Sequence, residues 1–381
     1  IYPDTNASKD PIPDSLTWHG VTLYGTIDVG YGYQSHGAPT KGEFRQDAVY
    51  NIYSSKYANR PISSLESQGM EQSFIGLIIE EPVAPGWIAV GRLETSFDSL
   101  YGTISDGPNT LLQNAGRALS RQTANGDSSR AGQAFNGPAY GGIASATYGT
   151  LTFGRHTSIQ GDVFREYDPQ NPSNAFSLLR WSSALAGAGI GEASNLNNSV
   201  KYRVDYGSVH ASAIYSPGGQ DTGFFGSAYG AGVGGTYRGF SLDAVYQKVN
   251  AVAQASADVA SGLSVNQAPG PGQFSSTLVK AMITDSDSWS VQGRYTFKFG
   301  DGHKDDLIAG SKLTIYGGFE DIRYYNSSLS RDKQYVGDTI AGGYIIGDPT
   351  LVHGSFNYYA GTRELQVGWT GAAFALASGW T

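Results

Sequence analysis

Charged side chains that recur at every second position are the chemistry this chain offers first. In NSVKYRVDY (198–206) Lys201, Arg203 and Asp205 alternate with Val200, Tyr202, Val204 and Tyr206. In WSVQGRYTFKF (289–299) Arg294 and Lys298 alternate with Trp289, Val291, Tyr295, Phe297 and Phe299. The same parity sets Arg92 and Glu94 against Trp87, Ala89, Leu93 and Phe97, and Asp243 against Phe240, Leu242 and Tyr246. It also puts Asp28 and Glu320 on the polar faces of 21–33 and 312–325. The basic set Arg92, Lys201, Arg203, Arg294 and Lys298 is balanced by the acids Asp28, Glu94, Asp205, Asp243 and Glu320. Such a face makes and breaks no bonds. It sets a field, and a field acts strongly on solutes when the charges line a narrow wet space with low-dielectric walls. Arg155 is the exception, since its parity with Leu151 and Phe153 puts it on the apolar face. Against lipid it would cost about 2–4 kcal/mol at mid-membrane, so the expectation is that it either sits at the rim or is turned to the polar side by a bulge, with the bulge preferred.

Bond-making chemistry has little support. The chain of 381 residues has no Cys and 2 Met, which leaves no disulfide framework and no thiolate metal site. The six His are scattered (His19, His36, His156, His210, His303 and His353), and neither GxSxG nor HExxH occurs. GDGHKDD (300–306) offers oxygens but neither the spacing nor the terminal Glu of an EF-hand loop, and reads as a solvated turn. No catalytic residue, metal or cofactor is expected. A net charge of -8 argues against nucleic acid as a partner.

The elements that must carry these charges are strands. Alternation of period two runs through VTLYGTIDVGYGY (21–33), through 73–98, where two strands turn near Pro82 and Pro85, and through LTFG (151–154), 199–216 and 228–248. A soluble sandwich would explain any one of these hairpins. Repeated along the chain without helices to cover it, the pattern points to an antiparallel sheet closed on itself, lipid outside and water inside. Composition agrees: 52 Gly, 25 Tyr and 15% charged residues suit many short strands, tight turns and aromatic girdles. Mean hydropathy is -0.28, and no apolar run approaches the roughly 18 residues of a membrane helix. The expected organisation is a polar N-terminal arm over 1–18, read as already processed, followed by one barrel domain over 19–381. Long loops are expected at 34–68, 99–134, 251–287 and 326–361. The last strands fall at 364–371 and 372–381. The wall counts thirteen strands, or fourteen if TLVKAMITDS (277–286) spans.

Five blocks together carry a resemblance: VTLYGTIDVGYGY, GWIAVGRLETSFD, FNGPAYGGIASATYGTLTFGRHTS, NSVKYRVDYGSVHASAIYS and ELQVGWTGAAF. In order from residue 21 to the end, they resemble the Gram-negative general porin family of proteobacteria. The resemblance implies a transmembrane antiparallel β-barrel of sixteen strands in the outer membrane, a homotrimer among lipid and lipopolysaccharide, passing ions and small hydrophilic solutes by passive diffusion. It also implies a loop folded into the lumen, here about 158–196, bringing Asp162, Arg165, Glu166 and Asp168 opposite wall cations such as Arg203. The family would continue past Thr381, so the chain is expected to stop short of the last strands. A fourteen-stranded closure is the alternative, but it places the long connection 326–361 on the side where connections are short. Where the family has inward basic residues on its second strand, this chain has Phe74 and Ile78. A substrate-selective channel for sugars or anions is the nearest rival; an outer-membrane enzyme or a secreted β-sandwich adhesin is further off.

Overall fold

Alternation becomes strand nearly wherever it is strong. The computed structural model describes residues 16–34, 62–67, 70–71, 73–100, 102–104, 134–170, 195–218, 227–255, 280–299, 310–326, 337–340, 343–345 and 363–376. The wall opens with β1 (Thr17–Trp18) and β2 (Val21–Thr26), while β3 (Val29–Gln34) and β4 (Ile62–Ser67) pair as a separate ribbon. Then come β5 (Phe74–Ala84), β6 (Trp87–Asp98), the short β7 (Thr103–Ile104), β8 (Ala139–Ser145) and β9 (Gly149–Thr157). A helix, α1 (Ile159–Tyr167), precedes β10 (Asn195–Tyr206), β11 (Val209–Ser216), β12 (Ala228–Tyr237) and β13 (Phe240–Ala255). The chain continues with β14 (Lys280–Lys298), β15 (Lys312–Asn326), the short β16 (Gly337–Ile340) and β17 (Gly343–Ile345), and β18 (Arg363–Ala375).

All of the described pairings are antiparallel, and one path runs β1-β2-β5-β6-β8-β9-β10-β11-β12-β13-β14-β15-β18. That path holds thirteen strands; β7, β16 and β17 hang from it. Its two end strands are not paired with each other among the described residues. Arg238 and Gly239, at φ 48 and 87, join β12 to β13 in the primed turn whose twist matches the flanking strands.

The register sorts side chains as the alternation requires. Ser290 pairs across β15 with Glu320, and Glu320 across β18 with Val367, all on one face; Val291, Phe319 and Gly368 share the other. The second face is apolar and exposed, with Tyr215, Val233 and Phe297 respectively 57%, 54% and 44% exposed. The first face is polar and, under α1, buried. Most of one hydrophobic cluster, Ile159, Val163, Tyr167, Ile214, Ala228, Val245 and Val249, lies between the helix and the polar face.

That helix also reports the curvature of the sheet. Asp162 pairs with Lys201 on β10, and Phe164, two residues on, packs against Trp369 on β18 at 5.0 Å between centroids. Six strand steps separate β10 from β18 along the path, about 29 Å if flat. Two helical residues advance about 3 Å. The sheet therefore curls around α1, polar face inward and apolar face outward. No described helix is long and apolar enough to cross a membrane, so any crossing belongs to the strands.

Several boundaries differ from the sequence reading. The first wall strand, expected over 21–33, breaks at Ile27-Asp28, where Asp28 turns its carboxylate to the amides of Met70 and Glu71, each at 2.6 Å. The expected loop 251–287 is shorter at both ends: β13 runs to Ala255, and residues 280–286 of TLVKAMITDS belong to β14 instead of forming a strand of their own. The blocks 364–371 and 372–381 supply one strand, β18. The 1–18 arm yields Thr17 and Trp18 to β1; residues 1–15 lie outside the described residues, as do 300–306.

Candidate constriction site

Why the chain leaves β9 as a helix is readable locally. Ser158 is the N-cap, its Oγ accepting from the amide of Gly161 at 3.0 Å, and Asp162 lies in the first turn, where the helix dipole favours an acid. Ile159, Val163 and Tyr167 recur every fourth residue on the side that meets the wall. Glycines on β12 make room: a Cβ at Gly232 would stand 2.9 Å from Ile159 Cγ2.

Polar bonds then tie α1 to the wall along its length. Lys201 Nζ donates to the carbonyl of Thr157 at 3.0 Å and to Asp162 Oδ2. Gln160 donates to Glu320 Oε1 at 3.0 Å and accepts from Ser290 Oγ at 3.1 Å. Arg294 donates to both the backbone carbonyl and Oε1 of Glu166, each at 3.0 Å, a cation at the negative end of the helix. Tyr167 donates to Asp243 Oδ2 at 2.6 Å, and His210 Nε2 sits 2.6 Å from Asp243 Oδ1. Burial, and then the bond to Asp243, hold the Tyr167 phenol well above its usual range, so it remains a donor at neutral pH.

Tyr167→Phe is expected to leave a lone pair of buried Asp243 without its donor, at a cost of about 1–3 kcal/mol. The amides of α1 should then exchange hydrogen about five- to 150-fold faster, with the β12–β13 ladder unchanged. Equal exchange in the variant would show that Tyr167 does not anchor the helix. Gly234→Ala should act in the same direction, because its Cβ would lie 2.2 Å from Asp243 Oδ1.

The transverse arrangement expected between the loop acids and Arg203 takes another form. Arg203 is occupied by Asp205 of its own strand, at 3.0 and 3.2 Å. Lys201 and Arg294 are the wall cations that meet Asp162 and Glu166. Arg165 is 7% exposed and has no ion pair or hydrogen bond among the described residues. Asp168 is the helix C-cap and accepts from the Gln170 amide at 2.9 Å. Lys298 is exposed on the inner, polar face of the sheet, and Glu320 is fully buried beneath α1.

A second cluster lies on strands ahead of the helix. Arg92 Nε reaches Glu94 Oε1 and Tyr24 Oη, both at 2.6 Å, and Tyr24 donates to Glu94. Phe74 packs edge-on against Tyr24 at 5.4 Å, while Ile78 lies opposite Arg92 in register. Arg155 corrects the expectation that a bulge turns it into the lumen. The bulge exists, in β10 between Leu196 and Ser199. Yet Thr152 and His156 still bond each other at 2.8 Å on the inner face, so alternation survives and Arg155 keeps Phe153's side. Its guanidinium is satisfied at the strand end by the carbonyls of Gly137 and Asn136, at 3.0 and 3.1 Å, and by Asn197. Satisfied donors remove the need to turn inward. Among residues that sequence reasoning did not assign to the site, Tyr167 follows from the 159, 163, 167 helix spacing, whereas Gln160 does not. His210 and Trp369 had no such signal.

Comparison with known proteins fits this geometry. The family model described as Gram-negative porin matches residues 6–369. An outer membrane porin protein of Bordetella pertussis is 28% identical over 182 residues, 48% of this chain and 37% of that protein, so the match spans little more than a third of the relative's length. Among solved structures, the anion-selective porin from Comamonas acidovorans is 14% identical with a TM-score of 0.42, covering 93% of this chain and 99% of that one. OmpT of Vibrio cholerae is 11% identical with a TM-score of 0.40, covering 94% and 99%. The family match, extending over nearly the whole chain, is what decides: the protein belongs to the Gram-negative porin family, β-barrel proteins of the bacterial outer membrane.

Proposed function

We propose that the protein is a water-filled outer-membrane channel through which ions and small hydrophilic solutes pass by diffusion, with α1 as its constriction and no catalytic step. One observation carries this reading: a helix rich in polar contacts is held against the inner face of a curled sheet whose outer face is apolar and aromatic. In the proposal, Asp162, Arg165, Glu166 and Asp168 sit at the narrowing, with Lys201 and Arg294 facing the acids. Arg92, Glu94, Arg203, Asp205 and Lys298 belong to the surrounding wall, and Glu320 to the buried support of the helix. Because Asp162 and Glu166 are each ion-paired, the field at the narrowing is weak, which favours general diffusion over strong ion discrimination. The outer face meets lipid and lipopolysaccharide, and the short turns face the periplasm.

Reconstitution into a planar bilayer is the test. Stepwise conductance rising in proportion to bulk salt is expected. Silence would overturn the channel, and saturation at low solute would move the reading to a substrate-selective porin. Homotrimeric assembly is part of the same proposal. Only monomer mass in mild detergent would remove it.

A further inference from the structure

We propose that Lys298 and Lys312 form an oxyanion-binding site at the short-turn mouth of the lumen, one that takes compact doubly charged anions of the phosphate class. The two residues face each other directly across β14 and β15. Like charges so placed repel and weaken a sheet, and both side chains are exposed, with no ion pair or hydrogen bond among the described residues. Their setting differs from that of the other wall cations. Arg92, Lys201, Arg203 and Arg294 each have a carboxylate partner: Glu94, Asp162, Asp205 and Glu166.

The next rungs inward complete a ladder of donors. Thr296 and Thr314 lie opposite each other with their hydroxyls 3.1 Å apart, and Arg294 lies opposite Tyr316 beyond them. Rungs on one face stand about 7 Å apart along a strand, within the reach of a lysine side chain. Two ammonium groups can therefore converge over the threonine hydroxyls, leaving three donors each to share between water and a bound oxyanion. Parity places the pair inside, since Tyr295, Phe297, Leu313 and Ile315 take the outer face. The ligand is therefore a solute of the lumen and not a lipid headgroup.

The site rests on the channel reading and is tested beside it. In channels inserted from one chamber, phosphate added on the short-turn side should depress chloride current at about tenfold lower concentration than phosphate added on the loop side. In Lys298→Gln/Lys312→Gln the two sides should become equal, and Lys298→Arg/Lys312→Arg should restore the difference. Removing either of two opposed like charges relieves repulsion, so the Gln variants are expected to fold. A symmetric response in the wild type, or an unchanged asymmetry in the Gln double variant, overturns the site. A wild type that conducts nothing overturns the channel instead. Phosphate titration of the detergent-solubilised protein then decides the site, and equal affinity for wild type and Gln double variant would reject it.

Discussion

Val291→Arg should lower the yield of the folded, heat-modifiable form, while Thr296→Arg should fold with wild-type yield. Val291 stands near the middle of β14 on the outer face, in register with Ala244 and Phe319. An arginine on that face at mid-membrane costs about 2–4 kcal/mol, a large part of the roughly 5–15 kcal/mol that holds a folded protein together. Adding Val233→Arg, 54% exposed on the same face, should deepen the loss without simple additivity, because Val233 and Val291 flank the same residue, Ala244. Thr296 lies on the lumen face, where a long cation has water to reach. Gln292 is not an equivalent control, although it has the same parity. It is fully buried and donates to Ser290 at 3.1 Å, so an arginine there must displace packing beneath α1. Equal yields from Val291→Arg and Thr296→Arg, read by gel mobility with and without heating, would remove the two-faced wall.

The contrast between Val291 and Gln292 also marks where the sequence is legible. A side chain's face follows from period two, so the walls and most of their charges could be read directly. What period two cannot show is which part of the polar face lies open. Gln247, Gln292 and Glu320 look like lumen residues, and all three are fully buried. Strand ends fail for a related reason. In TDSDSWS (284–290) polar residues fall on both faces, so the alternation loses amplitude although β14 runs straight through it. The helix was missed because nine residues inside a long polar stretch give a weak signal; Ser158 and the 159, 163, 167 spacing were available. The pairing of Asp162 with Lys201 rather than Arg203 was beyond reach. It depends on where the curled sheet sets α1, two residues of strand being the whole difference.

Neutralising the loop acids should make the channel strongly anion-preferring, and neutralising their wall partners should do the reverse. Asp162→Asn/Glu166→Gln removes the carboxylates held by Lys201 and Arg294 and leaves two cations facing the narrowing, their side chains 14% and 30% exposed. Adding Asp168→Asn removes a third carboxylate and extends the shift. Uncompensated charge in a narrow lumen acts over about 8 Å at physiological salt, comparable with the space such a constriction leaves, so permeant ions cannot avoid it. Lys201→Gln/Arg294→Gln should instead expose Asp162 and Glu166 and attract cations. The paired wild type should lie between the two, with a reversal potential in a potassium chloride gradient closer to zero than either variant's. Its departure from zero follows from charges such as Arg165, Lys298 and Lys312. Combining all four substitutions should return the potential towards the wild type, since the two losses cancel if the residues act as pairs. Two variants that shift the potential in the same direction, or neither shifting it, would place the narrowing away from α1, most plainly at the 99–134 segment.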